Sequence, residues 1–234
     1  MDTTTPRPLP LPSPDACEPL LRLALAGGPT EPRRTLLEAM GGPRAALAAG
    51  EAAWRAAGLT PAQCAALKAP DPAGLAHGLR WCEGANHHVV GWHHPAYPPA
   101  LREAPSPPAL LFVAGEPTVL HQPMVAVVGS RAATHGGRDN ARAFAAAFAR
   151  CGLAVSSGLA AGIDAAAHRA ALEAGAHTVA VVGTGPDLVY PARHAALQAE
   201  VEAWGVVVSE HPPGTPARAP QFPDYPVNRP FTLA

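Results

Sequence analysis

Lysine is nearly missing from this chain: of its 17 basic residues all but Lys68 are arginine. Eighteen acidic residues offset them to a formal net charge of −1, which excludes a surface that is basic throughout. Phosphate binding would have to come from a local cluster. Arginine suits such a cluster, because its planar, permanently charged fork pairs with phosphate through two parallel hydrogen bonds. Aromatic residues are only 5 % of the chain. The four cysteines, Cys17, Cys64, Cys82 and Cys151, are dispersed with no C-x-x-C pair, which argues against a disulfide scaffold and a zinc knuckle. No run approaches the roughly 18 apolar residues of a membrane span, and the opening MDTTTPRPLPLPSPDA lacks the basic end and apolar core of a secretory signal. The expectation is a cytoplasmic protein with no membrane association.

Proline and glycine are abundant instead. The 29 prolines and 22 glycines make up about 22 % of the residues, against roughly 12 % in average usage, close to the composition of a disordered chain. Position changes that reading. Most prolines fall within residues 6–32, 95–123 and 212–230, and between Met124 and His211 only Pro186 and Pro191 occur.

Residues 1–15, with proline at every second position from 6 to 14, read as a disordered arm. Residues 16–85 contain apolar segments of helical spacing ended by Gly or Pro, and predict a small all-helical domain. Thr60-Pro61 and Asp71-Pro72 each set a capping residue before a proline at the first helical position. Residues 86–123 read as a proline-rich connector with two short strands, HHVVGW and ALLFVAG. From residue 124 to 234 the period changes. The runs MVAVVGS, GLAVSSG, HTVAVVGTG and GVVVSE recur every 25 to 28 residues with Ala-rich helical segments between them. That spacing fits βαβ units, and the unbroken Val-rich runs fit strands buried on both faces of a sheet. The fold class is therefore α/β, a Rossmann-like doubly wound, mostly parallel sheet preceded by the helical domain. Such sheets bind ligands beyond the carboxyl ends of their strands.

The informative residues lie at those ends. The first run ends in Gly129-Ser130-Arg131, where Gly129 permits close backbone approach, Ser130 and helix-start amides donate to phosphate, and Arg131 pairs with its charge. The second ends in SSGLAAGID, whose Gly158 and Gly162 suggest an anion-accepting backbone nest. Asp164 is a helix-start carboxylate in a capping position, and His168 is four residues further on the same face, in reach of it. The third leads to Tyr190, which suits stacking on a base, and to Arg193 and His194. The fourth delivers Glu210, an acid facing the same crevice.

In order and spacing, GSR, SGLAAGIDAAAH, VGTGPDLVYPARHAAL and GVVVSEHPPGTPARAPQFP resemble the DNA-processing protein A family, also called Smf. LLEAMGGPRAALAAG is similar to the sterile-alpha-motif-like helical domain of that family, and YPPALREAPSPPALLFVAGEP to its connector. The resemblance covers roughly residues 17–223. It implies a protein without catalytic activity or cofactor that binds and protects incoming single-stranded DNA in natural transformation and helps load the RecA recombinase, acting as a homodimer. It implies a DNA pocket over the strand ends to which Arg131 contributes. Gly129, Ser130, Gly158, Gly162, Asp164, Tyr190, Arg193 and His194 are the remaining DNA-site candidates.

After Phe222-Pro223 the family continues with an Arg-Asn-Arg-Ile-Ile motif and further strands, whereas here the sequence reads DYPVNRPFTLA. If the protein ends there, the expectation is a sheet incomplete at its C-terminal edge, with an unpaired strand, and with dimerisation and RecA binding in question. Three alternatives stand beside the DNA reading. One is a nucleotide phosphoribohydrolase-like enzyme using Glu210 or Asp164, although the PGG-x-GT-x-x-E block of such enzymes is missing. Another is a metal site drawn from Cys82, His87, His88, His93 and His94, and the last is a non-functional fragment.

Overall fold

The computed structural model describes residues 10–217. The greater part of the expected N-terminal arm and the DYPVNRPFTLA tail lie outside the described residues. Within the arm, Pro14–Ala16 forms a 3-10 turn capped by Ser13, and Asp15 pairs with Arg44 at 3.0 Å, so order begins slightly earlier than the prolines suggested.

Six helices follow: α1 (Cys17–Leu25), α2 (Thr30–Met40), α3 (Pro43–Ala48), α4 (Gly50–Ala56), α5 (Pro61–Lys68) and α6 (Pro72–Cys82). α5 and α6 start where their sequence signals lie. Thr60 and Gln63 close a reciprocal capping box on α5, and Asp71 accepts the amides of Ala73 and Gly74 on α6. Cys17 and Cys82, which their spacing left unpaired, form a disulfide joining α1 to α6. A contact across 65 residues carries no local signature. Leu20, Leu21, Leu23, Leu36, Leu37 and Leu67 fill the centre of the bundle.

Then come β1 (His87–Gly91), α7 (Pro99–Arg102), β2 (Leu110–Gly115), β3 (Met124–Ala126), α8 (His135–Arg150), β4 (Ala154–Ser157), α9 (Ile163–Glu173), β5 (Thr178–Val182), α10 (Ala195–Trp204) and β6 (Val206–Ser209). One mixed sheet contains all six described strands in the order β1-β2-β6-β5-β4-β3. The last four are parallel neighbours, while β1 pairs antiparallel with β2 and β2 antiparallel with β6. This is the expected α/β Rossmann-like class with two corrections.

The first concerns winding. β3 to β6 advance in one direction, and α8, α9 and α10 pack on a single face, against Val155, Ala180, Val182 and Val207. The opposite face, with Ala154, Val179, Val181, Val206 and Val208, is covered by Tyr97, Leu101, Val119 and Leu120 of the proline-rich segment. A second winding is not found among the described residues. The second correction concerns β6, expected to lie open. β2 occupies its free side, with Phe112 opposite Ser209 and Ala114 opposite Val207. The two strands of the supposed connector are thus part of the sheet, and the burial of all six residues of β2 shows why Leu, Phe and Val dominate it.

Candidate nucleic-acid interface

The carboxyl ends of β3, β4, β5 and β6 lie on one edge of the sheet, and three successive turns there are tied to one another. After β3, the Ser130 hydroxyl accepts the Ala132 amide at 3.2 Å, and α8 begins only at His135, capped by Thr134. Residues 132–134 separate the Gly129-Ser130-Arg131 turn from α8, and Ile163 lies against both Gly129 and Gly137 of the first turn of α8. The Ser130 carbonyl accepts the Ile163 amide at 3.3 Å, joining this turn to the start of α9.

Both turns need their glycines for contact with protein. Gly162 has φ of 86°, and a Cβ there would collide with the Ser130 carbonyl oxygen. A Cβ on Gly129 would lie 2.7 Å from Cγ1 of Ile163. The sequence reading gives Gly129 to the approach of a ligand and Gly162 to an anion nest, whereas in the structure the group that approaches each is the neighbouring turn.

Asp164 alters the chemistry further. It is only 6 % exposed, in the first turn of α9, and its carboxylate accepts backbone hydrogen bonds from Gly158, Ala160 and Gly129, the first at 3.1 Å. Burial pushes its pKa up, while those donors oppose the shift. Of the two glycines expected to form an anion nest, Gly158 gives its amide to this internal carboxyl. Asp164 is a positioning residue beneath the turns. His168, which helical spacing puts in reach of Asp164, bonds to Thr178 instead. His168 is fully buried and its Nδ1 lies 2.7 Å from the Thr178 hydroxyl, which donates to the Val155 carbonyl. Burial drives the His168 pKa down to about 3, so the ring is neutral.

The loop after β5 divides after Pro186. Thr184 to Pro186 are buried, with Gly185 donating to the Thr215 carbonyl and Gln198 to that of Pro186. Further along the chain surfaces, with Tyr190 50 % exposed and Arg193 exposed. His194, the next residue, is 5 % exposed and its Nδ1 lies 2.9 Å from the Leu159 carbonyl oxygen, which binds this loop to the one after β4. It joins Asp164 as a positioning group and does not reach the surface. Leu159 itself is fully buried with φ of 58°, a left-handed conformation uncommon for a branched side chain and unsignalled in the sequence.

Arg131, Tyr190 and Arg193 thus present exposed side chains from the turns after β3 and β5. Glu210 follows β6, near Arg33 of α2 and Tyr97. Burial lifts its pKa to about 7, with Arg33 drawing it down. Among the described residues no group of three or more His, Cys, Asp or Glu is placed to hold a metal ion, and no helix is long and apolar enough to cross a membrane. His87, one of the candidate metal residues, instead stacks on Trp81 with ring centroids 4.4 Å apart.

The fold and its tied turns define an α/β Rossmann-like protein whose turns gather at the strand carboxyl ends. The family model for DNA recombination-mediator protein A matches residues 88–228, and the chain belongs to this family. It is 42 % identical to protein Smf of Escherichia coli over 146 residues, 62 % of this chain and 39 % of that protein. It is also 42 % identical to the DNA processing protein DprA of Streptococcus pneumoniae over 127 residues, 54 % of this chain and 45 % of that one. In these matches the chain spans less than half the length of either relative. The crystal structure of DNA processing protein A from S. pneumoniae superposes with a TM-score of 0.73 at 27 % identity, covering 95 % of this chain and 75 % of that one. A structure of the Helicobacter pylori protein, described for its single-stranded DNA binding mode, superposes with a TM-score of 0.50 at 26 % identity over 53 % of this chain and 57 % of that one.

Proposed function

We propose that this chain binds single-stranded DNA without catalysing a reaction, and that it serves DNA processing in transformation and recombination by protecting the strand and helping to load RecA, as a homodimer. The observation that carries the DNA reading is the division of labour at the sheet edge. Arg131, Tyr190 and Arg193 are exposed there, while Asp164 and His194 hold their turns from below. Two guanidinium groups and one stacking ring suit a sequence-tolerant grip on backbone and bases. Membership of the DNA recombination-mediator protein A family and the likeness to the H. pylori protein support the same ligand.

The nucleotide-hydrolase alternative finds less support at Asp164. Asp164 is enclosed and engaged by amides, and Glu210 lies near Arg33. Anisotropy titration of a labelled oligothymidylate at two salt concentrations tests the proposal. The expected result is binding that weakens with salt, and an Arg131→Ala variant with a salt slope smaller by about 0.7, the share of one phosphate on a single strand. Unchanged affinity in that variant would remove Arg131 from the interface.

A further inference from the structure

At the far end of the same sheet edge is a second cationic and aromatic cluster. β2 runs antiparallel to β6 and β1 antiparallel to β2, so the carboxyl end of β1 and the start of β2 meet at one corner. There the Trp92 amide donates to the Ala109 carbonyl at 2.8 Å. Since Phe112 of β2 lies opposite Ser209 of β6, this corner belongs to the edge that carries the β6 carboxyl end. The guanidinium of Arg34 on α2 lies over the Trp92 ring at 5.1 Å from its centroid, and that of Arg102 on α7 at 4.9 Å. Arg102 also lies 5.1 Å from the Tyr97 ring centroid.

Each arginine is aimed by one backbone acceptor, Arg34 donating to the Pro107 carbonyl at 2.8 Å and Arg102 to that of His94 at 3.0 Å. Neither makes an ion pair with a carboxylate among the described residues. Arg34, Trp92 and Arg102 are all partly exposed. Each guanidinium gives one hydrogen bond to a carbonyl and keeps further N–H donors, which a phosphate can take.

Resting on the single-strand reading above, we propose that Arg34, Arg102 and Trp92 form a second subsite for the same DNA strand. The two arginines take backbone phosphate, Trp92 contacts a base, and the strand runs along the edge from Arg131 toward β1. Five inter-strand steps of about 4.8 Å separate β3 from β1, roughly 24 Å. At about 3.4 Å per stacked nucleotide, an oligomer of four spans about 14 Å and occupies one subsite, whereas one of sixteen spans about 54 Å and reaches both.

The test uses the full chain with oligothymidylates of about four and about sixteen nucleotides, near the limits of ordinary single-strand site sizes. Anisotropy of the Arg34→Gln/Arg102→Gln double variant is expected to show an approximately tenfold loss for the long oligomer, a salt slope smaller by about 1.4, and unchanged binding of the short one. Arg131→Ala is expected to weaken both. If the double variant binds the long oligomer as the wild type does while Arg131→Ala is impaired, the second subsite is overturned and the single-strand reading stands. If the wild type binds neither oligomer, both fall together. Should the double variant fail to fold, Trp92→Phe decides. Loss of the tryptophan quenching caused by the long oligomer supports the subsite, and quenching equal to wild type overturns it.

Discussion

The Asp164 carboxylate accepts the Gly158 amide at 3.1 Å across six residues of chain, and it also takes backbone hydrogen bonds from Ala160 and from Gly129 of the preceding strand's turn. One side chain therefore holds together the two turns that flank Arg131. Because the carboxylate is 6 % exposed, removing it leaves buried amides without acceptors.

Asp164→Ala is accordingly expected to cost about 1–3 kcal/mol in stability, the penalty for orphaned buried donors. For a chain of this size each kcal/mol shifts the melting temperature by about 2–4 °C. Affinity for single-stranded DNA should fall with it, since Arg131 loses its fixed turn. Thermal denaturation and an oligothymidylate titration check the two effects. A variant that melts with the wild type would show that the turns hold without this carboxylate.

Gly162 offers a second route to the same turns. Its φ of 86° and its contact with Ser130 penalise any Cβ twice, by backbone strain and by collision. Gly152 is a control, with φ of 77° and open space around the Cβ position. Gly152→Ala should show strain alone, roughly 1 kcal/mol, whereas Gly162→Ala should cost clearly more, within or above the range of about 1–3 kcal/mol for strained backbone. Equal melting temperatures for the two variants would mean that the Ser130 turn moves aside freely.

These two residues also show where the sequence stopped being informative. Glycine between a Val-rich run and an Ala-rich helix reads as room for a ligand at Gly129 and as an anion nest at Gly162, and in the structure the neighbouring turn approaches both. Which group approaches depends on a neighbouring strand more than thirty residues away, which local spacing does not contain. Helix starts at Thr60-Pro61 and Asp71-Pro72 were legible because capping is local chemistry. The β2–β6 pairing was not, since an antiparallel contact between residues 112 and 209 leaves no mark on either segment. Arg193 and His194 looked alike as basic loop residues. The short 3-10 turn Ala192–His194 turns one outward and the other toward Leu159.

His87 supplies a pH-dependent tie between the helical region and the sheet. Its Nδ1 lies 2.7 Å from the Trp81 carbonyl and its Nε2 3.1 Å from Glu202 of α10, and only the protonated ring donates to both. The Glu202 carboxylate, with help from the Trp81 carbonyl, raises its pKa above the ordinary 6.5 despite burial. A folded-state pKa above the unfolded one stabilises fully below pH 6.5 and fades as pH rises through the raised value. His87→Phe, which keeps a ring over Trp81, should therefore lower the melting temperature at about pH 5.5 more than at about pH 8.5. An equal loss at both would assign the role of His87 to packing alone.

Glu210 has the same sign of linkage with the opposite charge. Burial at the end of β6 raises its pKa from 4.5 to about 7, so the folded state resists its ionisation, and stability declines as pH rises from 4.5 through 7. Arg33 only partly offsets this, since its guanidinium also donates to the carbonyls of Leu23 and Gly28 around the α1–α2 corner. Glu210→Gln keeps the shape and removes the ionisation. The substitution should be nearly neutral at about pH 4.5 and stabilising at about pH 8.5 by up to about 3 kcal/mol, the free energy that separates a pKa of about 7 from one of 4.5. Denaturant unfolding of both proteins across that range measures the difference directly. A Gln variant less stable than wild type at the higher pH would show instead that the ionised carboxylate and Arg33 form a net favourable pair, and that charge at this corner supports the docking of α2 on the sheet.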